Sequence, residues 1–452
     1  MFQDNFYWGA ASSAYQIEGA AFIDGKGKSV WDVVSNDGNL VYGGQTGHVA
    51  CDHYHRYEED VAIMKEIGLN AYRLSFSWPR ILPNGTGQVN PKGLDFYDRL
   101  INKLLENNIE PFVTIFHWDY PWELFLKGGW LNPDSPKWFA EYASVVSNHF
   151  KDRVKHWITI NEPQCFVLLG HMEGKHAPGI KYPVEAILTA IHNVNLAHGR
   201  AVMAIRSNQK DARIGYSPVG TTFYPKNGTE KEILWAKKCM FESNDQTLWN
   251  NGWWMDPIFF GKYPEEGLKK FEKFMPRITD EDLKIISQPL DFFGCNIYHG
   301  APVEDNGGVM ETHKHPDGNP KTDMGWNVTP ESLYWGPKFL YERYRKPIII
   351  TENGAAFKDW VMSDGRVHDY ERIDFLARYI SNLRKAASEG VEVAGYFLWS
   401  ILDNFEWEYG YEKRFGITYV EFDTQKRVLK DSAYWYKKVI KSNGRDLSLA
   451  IE

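Results

Sequence analysis

The chain alternates between two spacings of apolar residues. Short apolar runs rich in β-branched side chains recur at Trp8–Ala14, Ala71–Ser77, Pro111–Phe116, His156–Ile160, Arg213–Pro218, Phe292–Ile297, Pro347–Thr351 and Val393–Trp399, separated by segments with helical period. The helical segments carry start and stop signals. Asn90 followed by Pro91 opens one, with Leu94, Tyr97, Ile101 and Leu104 as its apolar stripe. Ser135-Pro136 opens another, with Phe139, Tyr142, Val146 and Phe150 on one face, and Gly68 stops a helix that begins near Tyr54. Eight strand–helix units predict a parallel sheet closed on itself. The fold expected is α/β: a single (β/α)8 TIM barrel over 1–452, with extended βα loops around its mouth, since no linker, repeat or low-complexity tract interrupts the chain.

In such a barrel functional groups sit where strands end and loops begin. The fourth strand leaves through Thr159-Ile160-Asn161-Glu162-Pro163, and the seventh through Ile350-Thr351-Glu352-Asn353-Gly354. Each apolar run stops at a carboxylate beside an amide, half a barrel apart. Two carboxylates facing each other across a barrel mouth are the minimum equipment for cleaving a glycosidic bond. Other exits add polar and aromatic groups: Gln16 after the first strand, His117 after the third, Asn296 and Tyr298 at the sixth, Trp399, Glu406 and Trp407 at the eighth, with Arg73 in the second. Together they can address sugar hydroxyls from several directions while a ring stacks beneath a pyranose.

Composition narrows the choice of substrate. With 51 Lys and Arg against 59 Asp and Glu, the net charge of −8 gives no electrostatic reason to bind nucleic acid or an anionic membrane. The 18 Trp, 25 Tyr and 26 Phe supply flat apolar platforms suited to sugars or bases, and the acidic balance favours sugars. No run approaches the ~18 apolar residues of a membrane helix, and the N-terminus lacks the basic-then-apolar pattern of a signal peptide. Cys51, Cys165, Cys239 and Cys295 are scattered without a CxxC pair, which suggests reduced thiols in a cytoplasmic protein. Asn84, Asn227 and Asn327 head Asn-x-Ser/Thr triplets that would matter only after secretion.

Two other classes compete with this reading. Cys51-Asp52-His53-Tyr54-His55 offers metal-ligand types at short spacing, but no third His arrives convincingly at another strand end. A sugar-binding protein that had lost its chemistry would be expected to lack one of the two carboxylates, and both are present. No Gly-x-Ser-x-Gly elbow, P-loop or dinucleotide glycine cluster occurs, so no cofactor or metal is expected.

The sequence resembles glycoside hydrolase family 1, the β-glucosidase family, from Phe6 to about Lys430. Thr-Ile-Asn-Glu-Pro at 159–163, Ile-Thr-Glu-Asn-Gly at 350–354 and the segment Phe6-Tyr7-Trp8-Gly9-Ala10-Ala11-Ser12-Ser13-Ala14-Tyr15-Gln16-Ile17-Glu18-Gly19 carry the likeness. The resemblance implies Glu162 as acid/base and Glu352 as nucleophile of a retaining mechanism, with Asn161 at the sugar 2-hydroxyl. Arg73 and Tyr298 would orient the nucleophile, with Asn296 in support. It further implies that Gln16, His117, Glu406 and Trp407 grip the glycone, that Trp399 is its floor, and that Trp326 stands at the aglycone entrance. Glu406 would repel a 6-phosphate, so unphosphorylated β-glucosides such as cellobiose and aryl glucosides are expected, with β-fucosides and β-galactosides behind them. A glutamate at 162 departs from the plant myrosinase variant. Gln164, Tyr120 and Phe116 also depart from the common pattern; Gln164 is expected to make the aglycone wall more polar. Residues 301–319 read as a long rim loop. The natural aglycone, and whether the chain acts as a monomer or homo-oligomer, stay open.

Overall fold

The computed structural model describes residues 2–37, 40–242, 248–312 and 315–450. Eight parallel strands close a barrel: β1 (Tyr7–Ala11), β2 (Ala71–Ser75), β3 (Glu110–Phe116), β4 (His156–Asn161), β5 (Arg213–Ser217), β6 (Phe292–Asn296), β7 (Ile348–Asn353) and β8 (Val393–Trp399). Each pairs with its neighbours in chain order, and β1 closes the ring on β8 with Tyr7 opposite Gly395 and Ala11 opposite Trp399. Helices His53–Ile67, Pro91–Glu106, Ser135–Phe150, Val184–Asn208, Ser332–Tyr344, Tyr370–Ser388 and Asp431–Lys441 return the chain between strands or close the last unit; several shorter helices do so after β5. Every strand expected from the apolar pattern is present. The first ends earlier than expected, because Ala14–Ile17 turns into a short helix.

The barrel interior is filled by Ala11, Ala71, Phe112, Ile158, Phe292, Ile349 and Phe397. Small residues make room for the rings. A Cβ on Gly9 would lie 2.4 Å from the Phe397 ring, and one on Gly215 would lie 2.1 Å from the Phe292 ring. These rings plug the barrel, so a substrate can enter only from the loops at the strand ends.

The helix signals hold at Asn90–Pro91 and at Gly68, which caps its helix with φ +85°. Residues 301–319 differ from expectation. Gly300–Asn306 and Val309–Thr312 form an antiparallel hairpin, and the first of these strands also pairs in parallel with Thr222–Pro225. A three-stranded sheet therefore walls one side of the mouth, while residues 313 and 314 lie outside the described residues. Among the described residues, no helix is long and apolar enough to cross a membrane.

Candidate active site

One cavity of about 790 Å³ opens at the C-terminal ends of the strands. Glu162, Glu352, His117, Asn296, Tyr298, Trp326, Trp399, Glu406 and Trp407 all line it. Gln16, Arg73 and Asn161, expected beside them, are fully buried behind the wall and reach the site through its lining residues.

Glu352 ends β7. Arg73 Nη1 donates to its Oε1 at 2.5 Å and Tyr298 Oη donates to its Oε2 at 2.7 Å. With a donor on each oxygen, the group meets the hydrogen-bonding demand of a carboxylate. Arg73 is itself held: Nε donates to Thr114 Oγ1 at 3.1 Å and Nη2 to Asn161 Oδ1 at 2.7 Å.

Glu162 follows β4 with φ +41°, a conformation that costs a non-glycine residue about 1–3 kcal/mol and persists only where the surroundings enforce it. Its N–H donates to Ser217 O at 2.7 Å, and its own carbonyl accepts from Cys165 N–H at 3.0 Å. Asn296 Nδ2 donates to Glu162 Oε1 at 2.9 Å, and the Cys165 side chain bonds the same carboxyl. The Asn296 amide cannot be turned over, because the same Nδ2 donates at 3.0 Å to Asn161 Oδ1, which must be oxygen because Arg73 donates to it. Burial, and next the charge of Glu352, push the Glu162 carboxyl up to about 8; Asn296, Cys165 and Arg73 oppose this less strongly.

A chain of donors fixes the His117 tautomer. Arg73 only donates, so the Asn161 atom facing it is oxygen, and the other is the NH2 that lies 3.1 Å from His117 Nε2. Nε2 therefore accepts, and the ring proton sits on Nδ1. Burial, then the nearby Arg73, hold the imidazole well below its ordinary range, so it is neutral. The second Asn161 amide hydrogen is spare.

The glycone end is aromatic and acidic. His117 stacks between Trp399 and Trp407, with centroids 5.9 and 6.0 Å away. Gln16 Nε2 donates to Phe405 O at 2.9 Å and to Glu406 Oε2 at 3.3 Å. Burial, followed by Glu408, Glu352 and Glu162, holds the Glu406 carboxyl well above the usual range. At the other end Trp326 lies 5.2 Å from the Tyr298 ring and 6.1 Å from Phe415.

Sequence reasoning missed Cys165, Lys175, His176, His299, Glu408 and Phe415, which share the cavity wall. Cys165 had a readable signal, since position i+3 from Glu162 falls on the same face of a helical turn. The others come from irregular loops. The polar aglycone wall expected at Gln164 is not formed: Gln164 is fully buried and pairs with the backbone of Val219, at 3.3 and 3.2 Å. Phe116 and Tyr120 pack on Trp130 behind the site, with centroids 5.4 and 4.9 Å away. All three departures are core features, because none of them reaches the cavity.

The side chains of residues 51–55 do not converge on one point. Cys51 Sγ donates to Asp403 O at 3.0 Å, His53 Nδ1 meets Asp60 Oδ2 at 2.7 Å, and His55 Nδ1 meets Asp52 at 2.6 Å. Among the described residues, no group of three His, Cys, Asp or Glu side chains converges as a metal site.

The family model for glycosyl hydrolase family 1 matches residues 1–445. A 1,4-beta-D-glucan glucohydrolase of Thermotoga neapolitana is 48% identical over 445 residues, covering 98% of this chain and 99% of its own. Beta-glucosidase A of Thermotoga maritima is also 48% identical over 445 residues, covering 98% of both chains. The solved structure of the family 1 β-glucosidase from Thermotoga maritima superposes with a TM-score of 0.90 at 46% identity, covering 98% of this chain and 99% of that one. The chain is a glycoside hydrolase and belongs to glycosyl hydrolase family 1.

Proposed function

We propose that this enzyme is a retaining exo-β-glucosidase that removes terminal, non-reducing β-D-glucosyl residues, and that the whole chain is one catalytic unit. The observation that carries the reading is the contrast between two glutamates on one cavity wall. Glu352 is clamped by donors on both oxygens, whereas Glu162 is kept protonated by burial and by its neighbour's charge.

In the first half-reaction Glu352 attacks the anomeric carbon. The bond to the departing oxygen breaks, and Glu162 gives that oxygen its proton. The products are the free alcohol and a glycosyl ester on Glu352. Esterification removes the charge on Glu352 that helped hold the proton on Glu162, so Glu162, now a carboxylate, can act as a base. In the second half-reaction a water loses a proton to Glu162 and its oxygen attacks the same carbon, releasing sugar and Glu352. Two inversions give net retention. Asn161, buried behind the wall, supports the site through the Arg73 and His117 it holds. An alcohol in place of water gives transglycosylation.

Gln16 and Glu406 at the closed end support neutral sugars over 6-phosphorylated ones, because an added phosphate would meet Glu406 and Glu408. Cellobiose and aryl glucosides follow as substrates, with β-fucosides and β-galactosides as weaker ones, and a role in cellulose breakdown fits them. The cytoplasmic setting belongs to the same reading, supported by four unpaired cysteines. Initial rates on nitrophenyl glycosides varied in anomer and at the 4- and 6-positions test the specificity, and proton NMR of the first-formed anomer tests retention. Turnover of β-glucosides releasing β-glucose is the expected result; an α product, or binding without turnover, overturns the reading.

A further inference from the structure

The loop after β8 closes on itself. Glu406 N–H donates to Gly410 O at 2.6 Å, Tyr409 N–H to Glu406 O at 2.9 Å and Gly410 N–H to Trp407 O at 3.1 Å. Inside it Trp407 has φ +49°, a left-handed conformation that large side chains avoid unless the surroundings over-determine it. Trp31 and Trp118 pack on the Trp407 ring with centroids 4.7 and 4.5 Å away, and Tyr15 stacks within 9° of parallel. These ring contacts are largely non-directional.

The directional contact comes from a different strand. His176 Nε2 pairs with Glu408 Oε2. His176 belongs to the segment that leaves β4, the strand that delivers Glu162, and Glu408 directly follows Trp407 in the chain. The His176 ring is buried against Trp31 and Trp118, 5.6 and 5.3 Å between centroids. One imidazole therefore touches both the rings that cage Trp407 and the carboxylate next to it.

We propose that His176 and Glu408 are a positioning pair: their contact ties the β4 loop to the β8 loop and so sets Trp407 and Glu406 against the glycone at its 4- and 6-hydroxyl end. The inference rests on the β-glucosidase reading and deepens it, naming what determines recognition at that end. Loss of Glu408 leaves a buried imidazole without an acceptor, and its Nδ1 already has no partner. Loss of His176 leaves the Glu408 charge uncompensated beside Glu406, whose carboxyl it already pushes upward. Either change frees the loop to relax toward a less strained backbone. Glu162 and Glu352 are held by other groups, so recognition weakens more than chemistry.

The test compares kcat and KM of wild type, His176→Ala, Glu408→Ala, Glu408→Leu and the double alanine variant on nitrophenyl β-glucoside and nitrophenyl β-fucoside, which lacks the 6-hydroxyl and carries an axial 4-hydroxyl. In each single alanine variant the glucoside-to-fucoside ratio of kcat/KM is expected to fall about tenfold, carried by KM, which is the scale of one good hydrogen bond. Because the two residues act as one unit, the double variant is expected to lose no more than the worse single one. Equal losses on both substrates, or losses that multiply in the double variant, overturn the pair. Should the alanine variants fail to fold, Glu408→Leu, of similar bulk but with no acceptor, decides: a lowered ratio supports the pair and an unchanged one overturns it. A wild type inactive on both substrates sinks the β-glucosidase reading itself. An active wild type with the same ratio in every variant sinks only the pair.

Discussion

Arg73 and Glu352 form a buried ion pair, Nη1 to Oε1 at 2.5 Å, with the guanidinium fully enclosed and the carboxylate 4% exposed. Arg73 lies mid-strand on β2, opposite Phe112 of β3, while Glu352 lies near the end of β7. A long side chain thus spans the barrel beneath the cavity, and Asn161 shares its second nitrogen. Removing one partner of such a pair strands the other charge in a low dielectric.

That arrangement makes Arg73→Met a double loss. Breaking a buried pair typically costs about 3–5 kcal/mol of stability, and Glu352 and Asn161 lose their common support. The variant is expected to unfold at markedly lower temperature and to have kcat reduced at least about 100-fold, by analogy with other displaced catalytic groups. Thermal melts and steady-state rates check both.

Tyr298→Phe isolates the second donor on Glu352. A hydrogen bond to a charged group contributes about 1.5–3 kcal/mol, so kcat should fall by roughly 10- to 150-fold with little change in melting temperature. An unchanged kcat would mean that Arg73 alone orients the carboxylate.

Glu352→Gly removes the proposed nucleophile. Ordinary hydrolysis should fall by roughly 10⁶-fold, the scale seen on deleting a covalent nucleophile elsewhere. Added azide or formate should restore turnover of an activated aryl glucoside with an α-configured product. Ordinary rates in this variant would contradict the assignment.

Glu162→Ala removes the proposed proton donor, a contribution of about 10²–10⁴-fold. The loss should be large for alkyl glucosides and small for dinitrophenyl glucosides, whose leaving groups need no proton. A Brønsted plot of rate against leaving-group acidity distinguishes this from uniform damage.

The pH dependence follows from Glu162 being raised to about 8. The acid must be protonated, so kcat/KM should fall as pH rises through about 8. Folding linkage has the same sign. The folded state holds this proton where the unfolded chain has lost it, so this group's contribution to stability is full below about 4.5 and declines as pH rises toward 8. In Glu352→Gln the neighbouring charge is gone and burial remains, so ¹³C NMR should find Glu162 titrating lower than in wild type, yet above an ordinary glutamate.

The barrel was legible because its signals are local. Each strand is a contiguous apolar run and several of the long helices carry their own start or stop residues, so eight units could be counted without knowing a single contact. Glu162 and Glu352 were legible for the same reason, as carboxylates where apolar runs end, and the motifs around them carried the family likeness. Gln164 shows where one-dimensional reading stops. Its neighbour Glu162 reaches the cavity, but the turn after β4 aims Gln164 at the backbone of Val219, and no sequence spacing encodes that direction.

The sequence by itself determined the eightfold alternation, the strand exits and the two carboxylates, since each depends on residues adjacent in the chain. Only the tertiary structure decided which of them face the cavity, that Glu162 is the one held protonated, how His117 is protonated, and that His176 meets Glu408. Those outcomes depend on groups far apart in sequence and close in space. Burial, field and hydrogen-bond direction are properties of that closeness, and they arise only once the barrel has closed.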